Sequence, residues 1–460
     1  MILLYLQSVE LARDVIMVMP VLSIPDVYDQ SSVIRVFIHA VTSVGDVSVV
    51  NLNDKGAARA ILLARQQDVI IVASSVEQAY LDYFKESGFA VDPARILVVA
   101  VDSSSSLINA LLNDYDKVNQ LIKLIGGHNV ILDSFALSEL EIILVDKLKS
   151  LLAGTVNFVG ADLAIAQAVN RKDIARQLAI DVNVPVAPAD LIHDVLGVNV
   201  GGFKKEVLLT AINRQMKMTG GVVVKGAVGA SGSSTFVVNK TDCVDELLQQ
   251  LSKRQDNDVY LVEPLFKLNT APNVTVWIDP GNGDVALVNS TDQRLNNSLV
   301  FSGSVYPSSA VLHNDIVVAS ERFAKYLYQK GVSGWVGFDF VEYYDELAGA
   351  YKFFFSEINA RYNAGLYAKT VFDVVRQQQQ RKQLPVPSVY MTENLMLSPM
   401  SFLELQSMYQ DLFFNPQTGV GVMPFNPGRF EDGLIALICM ASSVETATQL
   451  ISSLHEHSMV

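Results

Sequence analysis

The stretch that decides the fold reads Trp335-Val336-Gly337-Phe338-Asp339-Phe340-Val341 and, after a polar connection, Phe353-Phe354-Phe355-Ser356-Glu357-Ile358-Asn359-Ala360-Arg361. Both arms are rich in β-formers, and Asp345-Glu346-Leu347-Ala348-Gly349-Ala350 between them suits a turn, so a hairpin is expected. Residues two apart in a strand share a face, which points Glu357, Asn359 and Arg361 the same way. A hairpin centred near Ala348 sets Asp339 about opposite Glu357. Two carboxylates, an amide oxygen and a guanidinium then converge on one patch. Carboxylate and amide oxygens are the hard ligands Mg²⁺ prefers, and an arginine suits an anionic group arriving with the metal. The same residues would also serve as a solvated sheet face with ordinary ion pairing. The rest of the chain has to separate these readings.

The length, 460 residues, implies about three domains. Half the residues are hydrophobic and 18% are charged, so large packed cores are expected and wholesale disorder is not. A net charge of −14 argues against a general nucleic-acid or anionic-membrane binder, while leaving room for a local basic pocket. The two cysteines, Cys243 and Cys439, supply neither a disulfide framework nor a CxxC metal site, and read as small apolar residues. The apolar start, Met1-Ile2-Leu3-Leu4-Tyr5-Leu6, lacks a basic flank and meets Glu10, Arg13 and Asp14. It fits neither a signal peptide nor a membrane span, and a cytoplasmic protein is expected.

Along the first 150 or so residues, β-branched runs at 33–40, 47–52, 69–73 and 96–101 alternate with amphipathic stretches at 57–65 and 76–85, the latter stopped near Gly88. That alternation predicts an α/β layer on a mainly parallel sheet. No GxGxxG follows the early strands, so a dinucleotide site is not supported. His128, in Gly126-Gly127-His128-Asn129, reads as an ordinary loop histidine before a strand at 130–132. A helix at 137–152 carries Glu139 and Glu141, most simply on its solvated side.

Residues 163–180 read as helical, with Asn170 placed to cap the turn that begins Arg171-Lys172. A lysine there opposes the helix dipole, a conflict of the kind ligand-binding residues show, although an exposed lysine is the plainer reading. After the proline-marked boundary at 182–188, Val222-Val223-Val224-Lys225 forms a strand. The loop Gly226-Ala227-Val228-Gly229-Ala230-Ser231-Gly232-Ser233-Ser234 follows, and β character resumes at 235–238. Glycine N–H groups and serine hydroxyls suit phosphate oxygens, and a plain flexible turn explains the loop as well. It is not a Walker A loop, because no Lys-Ser/Thr follows and no helix begins there.

A helix is expected at 244–251, then a strand at 259–265 that ends at Pro264 in a linker able to read a nucleobase through backbone groups. Strands at 273–278 and 284–288 flank a turn; Thr291-Asp292-Gln293-Arg294 lies just past them, and 302–307 reads as an ordered loop. A helix at 315–330 leads into the hairpin. Beyond it come a helix to about 383, a linker marked by Pro385, Pro387 and Pro399, a helix at 401–414, a strand and turn at 419–428, and closing helices at 434–441 and 444–454. No internal repeat and no His or Cys metal cluster is evident.

The order of these elements resembles the ATP-grasp superfamily over about residues 160–369: lysine at a helix start, strand–lysine–glycine loop–strand, Glu263-Pro264-Leu265-Phe266 at a linker, then Asp339 and Glu357-Ile358-Asn359-Ala360-Arg361 on paired strands. Among members the chain is most similar to stand-alone amino-acid and peptide ligases, in particular the pheganomycin-type peptide ligases. The resemblance implies a mixed α/β and α+β fold. It comprises an N-terminal α/β pre-ATP-grasp domain at 1–155, a two-subdomain ATP-grasp domain at 156–380 with a smaller nucleotide lid at about 190–265, and a small helical closing segment at 381–460.

It further implies an ATP-dependent carboxylate–amine ligase that forms an amide or peptide bond through an acyl phosphate and releases ADP and phosphate. The alternative is a sensor or scaffold module that binds ATP without turning it over. ATP contacts would come from Lys172, Lys225, Gly229, Ser231, Gly232, Ser233, Glu263 and, through its backbone, Leu265. Asp339, Glu357 and Asn359 would hold Mg²⁺, with Mn²⁺ as a substitute. Arg361 and Arg294 would face the transferred phosphate, the acyl phosphate or the substrate carboxylate. Two departures stand out: Asn273 lies near the place where family members often carry an acidic ribose contact, and Gly337 stands where the D-alanine–D-alanine ligase branch often has an arginine. Expected partners are small carboxylate and amine substrates, amino acids or short peptides, with no nucleic acid and no membrane; a homodimer is the oligomer to expect on general grounds.

Overall fold

The computed structural model describes residues 19–24, 27, 33–40, 54–102, 105–193, 203–229, 234–239, 244–252, 258–296 and 298–458. The expected strand at 47–52 and the loop residues Ser231, Gly232 and Ser233 lie outside them.

Short apolar runs flanked by helices build a parallel sheet: β1 (Val33–Ile38), β2 (Val69–Val72), β3 (Ile96–Val98), β4 (Asn129–Ser134) and β5 (Val156–Phe158), in the order β3-β2-β1-β4-β5. Strands buried on both faces read as continuous hydrophobic runs, and Val69–Val72 is buried throughout. The chain winds outward from β1 in one direction and from β4 in the other. The β1/β4 boundary is therefore the topological switch point, where crevices open at the carboxyl ends of strands.

A separate antiparallel sheet, in the order β6-β9-β7-β8, follows: β6 (Asp190–His193), β7 (Val222–Gly226), β8 (Thr235–Val238) and β9 (Val259–Pro264). Val222 and Val224 face its small core, which leaves Val223 and Lys225 on the opposite side.

The third sheet has nine strands: β10 (Leu268–Thr270), β11 (Pro272–Ile278), β12 (Val285–Leu295), β13 (Phe301–Tyr306), β14 (Gly334–Asp345), β15 (Ala350–Asn359), β16 (Val389–Met396), β17 (Gly421–Pro424) and β18 (Leu434–Ala441). Helix His313–Gln329 covers one face, with Phe323 against Phe338 and Phe355. The fully buried Glu342 accepts from Leu312 N at 2.7 Å and Val311 N at 3.1 Å, and so satisfies backbone donors where that helix begins.

The structure corrects several expectations. Residues 434–441 are a strand, not a helix, paired to β16 on one side and β17 on the other. Its run Leu-Ile-Ala-Leu-Ile-Cys-Met-Ala is apolar at every position, so periodicity carries no information there. The expected linker after Pro387 contains β16, and the closing segment adds three strands to the large sheet besides helices Phe402–Met408 and Val444–Ser458. Residues 301–306 form a strand rather than a loop, and β12 runs on to Leu295. Asn170 ends helix Leu163–Val169 instead of starting the next one, for which Arg171 is the N-cap. Its amide donates back to Ala166 O, and its oxygen accepts from Ala360 N. Glu141 is buried, not solvated: it closes a capping box with Ser138, and burial raises its pKa.

Candidate functional site

The hairpin β14–β15 sets Asp339 directly opposite Glu357. Between Asp339–Glu357 and the next pair, Phe340–Phe355, the register slips and leaves Ser356 as an extra residue. Strict alternation would put Phe354 and Glu357 on opposite faces; the bulge lets Phe354, Ser356, Glu357 and Asn359 all line one cleft, while Phe355 and Ile358 enter the core. Neighbouring strands complete the floor with Asn273 from β11 and Thr291 and Gln293 from β12. The small sheet supplies the facing wall through Val223, Lys225, Thr235 and Glu263. Leu265, Phe266, Leu268 and Phe354 make one end apolar. Asn363 and Gly365, at the start of helix Ala364–Arg381, border the other with Arg361.

At the polar end the contacts are specific. Asp339 Oδ1 accepts from Asn273 Nδ2 at 2.6 Å and Gln293 Nε2 at 2.9 Å, and Oδ2 accepts from Asn359 Nδ2 at 3.0 Å. Burial, and after it the charge of Glu357, push the Asp339 carboxyl up to about 7. Two adjacent carboxylates that cannot both ionise comfortably are a site asking for a cation. Lys172 Nζ lies 3.5 Å from Glu357 Oε2 and donates to Gly229 O at 3.0 Å. Lys225 Nζ lies 2.8 Å from Glu263 Oε2 and donates to Ser356 Oγ at 2.9 Å. Arg361 Nη2 donates to Asn359 Oδ1 at 2.6 Å, its Nη1 donates to Tyr362 O at 3.3 Å, and burial lowers its pKa.

Lys225, Glu263, Leu265, Asp339, Glu357, Asn359 and Arg361 therefore share one cleft, with Lys172 and Gly229 meeting behind Glu357. The Leu265 N–H is committed to Gly221 O at 2.9 Å, so a backbone contact to a base would fall to its carbonyl. The Asn359 oxygen faces Arg361 rather than the carboxylates, so it must turn before it can join them on a metal.

Arg294 is a correction. It sits between the cleft residues Gln293 and Leu295 on β12 and faces the other way, with Nη1 2.8 Å from Glu393 Oε2 and donating to Thr392 O. The residue on this strand that donates to Asp339 is Gln293, which carries no signal of its own in the sequence. Strand alternation through 295 would have separated the two, but the strand was expected to end at 288.

Among the described residues no group of three or more His, Cys, Asp and Glu side chains could hold a metal. Two carboxylates with surrounding carboxamides still fit Mg²⁺, which binds through one or two carboxylates plus substrate phosphates and keeps waters. Among the described residues, no helix is long and apolar enough to cross a membrane.

Several solved structures share this architecture. An N5-carboxyaminoimidazole ribonucleotide synthetase in its ADP complex covers 96% of the chain and 100% of its own length, at 13% identity and a TM-score of 0.54. A biotin carboxylase from Campylobacter jejuni in a nucleotide complex covers 91% and 89%, at 13% identity and 0.55. The biotin carboxylase domain of the Hydrogenobacter thermophilus 2-oxoglutarate carboxylase, with MgADP, ADP and bicarbonate, covers 92% and 89%, at 13% identity and 0.54. The chain has the ATP-grasp fold. The ATP-grasp likeness spans the parallel sheet and the C-terminal strands as well as the hairpin, since nearly the whole chain is covered. No protein-family model and no curated protein matches the sequence.

Proposed function

We propose that this chain is an ATP- and Mg²⁺-dependent carboxylate–amine ligase. The observation that carries the reading is the Asp339–Glu357 pair, opposed across the hairpin, with Lys225 and Arg361 on the same cleft. ATP would lie with its base against Leu265, Phe266 and Phe354 and its phosphates toward Lys225, Lys172 and Gly229. Asp339 and Glu357 would hold Mg²⁺, joined by Asn359 once its amide turns. The ion would neutralise phosphate oxygens during transfer.

The acid substrate attacks the γ-phosphorus, and ADP leaves with the electron pair of the broken P–O bond. The resulting acyl phosphate is attacked at carbon by an amine. The amine loses a proton to solvent and phosphate departs. Transfer of this kind needs alignment and charge neutralisation more than covalent help from the protein. Arg361 would stabilise the anionic acyl phosphate.

Within the class, we propose amino acids or short peptides as substrates, in line with the resemblance to pheganomycin-type ligases. Gly337 argues against the D-alanine branch: a Cβ there would meet Asn363 Nδ2 at 3.0 Å, so an arginine needs that amide to give way. A second acid, bicarbonate, is favoured by its presence with MgADP in one structural neighbour. Phosphate release should be screened with amino acids, dipeptides and bicarbonate, each with and without an amine, and with mass detection of products. Release of AMP and pyrophosphate would overturn the acyl-phosphate mechanism. ATP binding with no turnover under any mixture would favour a nucleotide-binding module. Glu357→Gln should lower turnover at least ~1,000-fold by weakening both metal and phosphate placement; undiminished turnover would remove Glu357 from the site.

A further inference from the structure

Phe135 follows β4 at the carboxyl end of the parallel sheet, beside the switch point, and it lines the cleft. Two guanidiniums address its ring: Arg361 Cζ at 5.5 Å from the centroid and Arg59 Cζ at 5.6 Å. The two charges are thus no further apart than those two distances together. Arg59 belongs to a different layer, the 3₁₀ helix Lys55–Leu62. That helix is clamped: Lys55 Nζ pairs with Asp432 at 2.7 Å, and any side chain at Gly428 would collide with the Lys55 carbonyl. The Arg59 guanidinium also lies on Tyr367, with Cζ 4.4 Å from the ring centroid, and Tyr367 shares a 2.6 Å hydrogen bond with the buried His39 Nδ1. The arginine is therefore held by rigid partners rather than left to sample solvent.

Its donors are not used up. Arg59 Nε donates to Gly56 O at 3.0 Å, and the terminal nitrogens have no acceptor among the described residues. The neighbouring arginines differ: Arg65 is forked onto Asp68, Arg95 donates to two carbonyls, and Arg429 is paired with Asp432. A half-buried guanidinium with no counter-ion among the described residues, in a chain of net charge −14, is positioned for an anion that arrives from outside. On the ligase reading the phosphates lie with Lys225 and the carboxylate pair, and Arg361 stands beside that pair through Asn359 while also contacting Phe135. Arg59 meets the other groups only at that ring, so it is available to a group other than the phosphates those residues hold.

We propose that Arg59 anchors a second anionic group, a carboxylate or a phosphate, on the acid substrate whose reacting carboxyl lies at Arg361. This rests on the ligase reading above and narrows the substrate to a short dianion with its two charged groups on either side of Phe135. Acids with one charge, amino acids with uncharged side chains among them, lack the group that Arg59 would bind.

The test is calorimetric titration of the full chain saturated with Mg²⁺ and a non-hydrolysable ATP analogue. The probes are propionate, succinate and phosphonoacetate. The wild type is expected to bind at least one dianion ~30-fold or more tighter than propionate, the gain of one charge-assisted, two-pronged contact. Whether succinate or phosphonoacetate leads distinguishes carboxylate from phosphate. Arg59→Gln should erase that preference and leave affinity for the analogue within twofold. Arg59→Lys, which keeps the charge and loses the fork, should fall between and guards against a folding defect in Arg59→Gln. Dianions that bind no better than propionate, or a preference that survives Arg59→Gln, would overturn the proposal. Failure of the nucleotide analogue to bind would instead overturn the ligase reading and is observed separately, before any acid is added.

Discussion

On the ligase reading, the raised pKa of Asp339 would make metal binding a proton-linked event, and its size can be worked out. In the metal-free protein the carboxyl moves from 3.8 to about 7, through burial and the adjacent Glu357 charge. A folded-state pKa above the unfolded one means that the protonated form favours the native state. That contribution is complete below about pH 4 and is lost as pH rises through 7. At ~1.4 kcal/mol per pH unit it amounts to roughly 4 kcal/mol. Mg²⁺ requires the ionised form, so binding below pH 7 should release close to one proton and binding above it progressively fewer. Affinity for Mg²⁺–nucleotide should fall about tenfold per unit below pH 7 and level off above it. Calorimetry in buffers of different ionisation enthalpy measures the released proton directly. Asp339→Asn controls for protonation of the nucleotide itself, since the amide does not titrate here. That variant should lose turnover yet gain ~2 kcal/mol of metal-free stability at pH 8, after allowing for the Asn359 bond that an amide nitrogen cannot accept. A proton count at pH 6 equal in wild type and variant, or a metal-free wild type as stable at pH 8 as at pH 5, would refute this account of the pair.

Two further outcomes follow from the floor of the cleft. Arg294→Ala should leave turnover within about threefold but cost ~2–4 kcal/mol, because it strands the buried Glu393 carboxylate; a large drop in kcat with stability intact would return Arg294 to the site. Gln293→Ala removes a donor from Asp339 and should weaken Mg²⁺–nucleotide binding ~10-fold, the scale of a lost bond to a metal ligand, which a titration at fixed pH would read.

The parts of the fold that announced themselves were those with contrasting faces. In the first half, β-branched runs separated by amphipathic stretches marked the parallel layer, and Glu357, Asn359 and Arg361 could be placed on one side because they alternate with apolar neighbours. The parts that stayed hidden lack contrast. Residues 434–441 are apolar throughout because both faces are buried, and β16 carries Thr392, Glu393 and Asn394 in its middle, so it reads as polar linker. Those polar groups are paid for by tertiary partners: Thr392 Oγ1 accepts from Ser304 N and Glu393 holds Arg294. The amide cage around Asp339 was equally invisible, since Asn273 and Gln293 are ordinary strand residues until sheet order brings β11 and β12 beside the hairpin. Arg59 is the extreme case, because its relation to the cleft exists only through Phe135 and Tyr367, residues 76 and 308 positions away.

The extra residue at Ser356 divides β15 into two half-strands that are out of phase with each other. Each half can therefore drift in sequence on its own: substitutions near Phe354 alter the apolar end of the cleft, and substitutions after Glu357 alter its ionic end, without either disturbing the other's facing. Deleting Ser356 would couple them again. One half would have to invert, exchanging Phe354 with Phe355 at the cleft or Glu357 with Ile358, and a single-codon loss would do more harm than any point substitution along the strand.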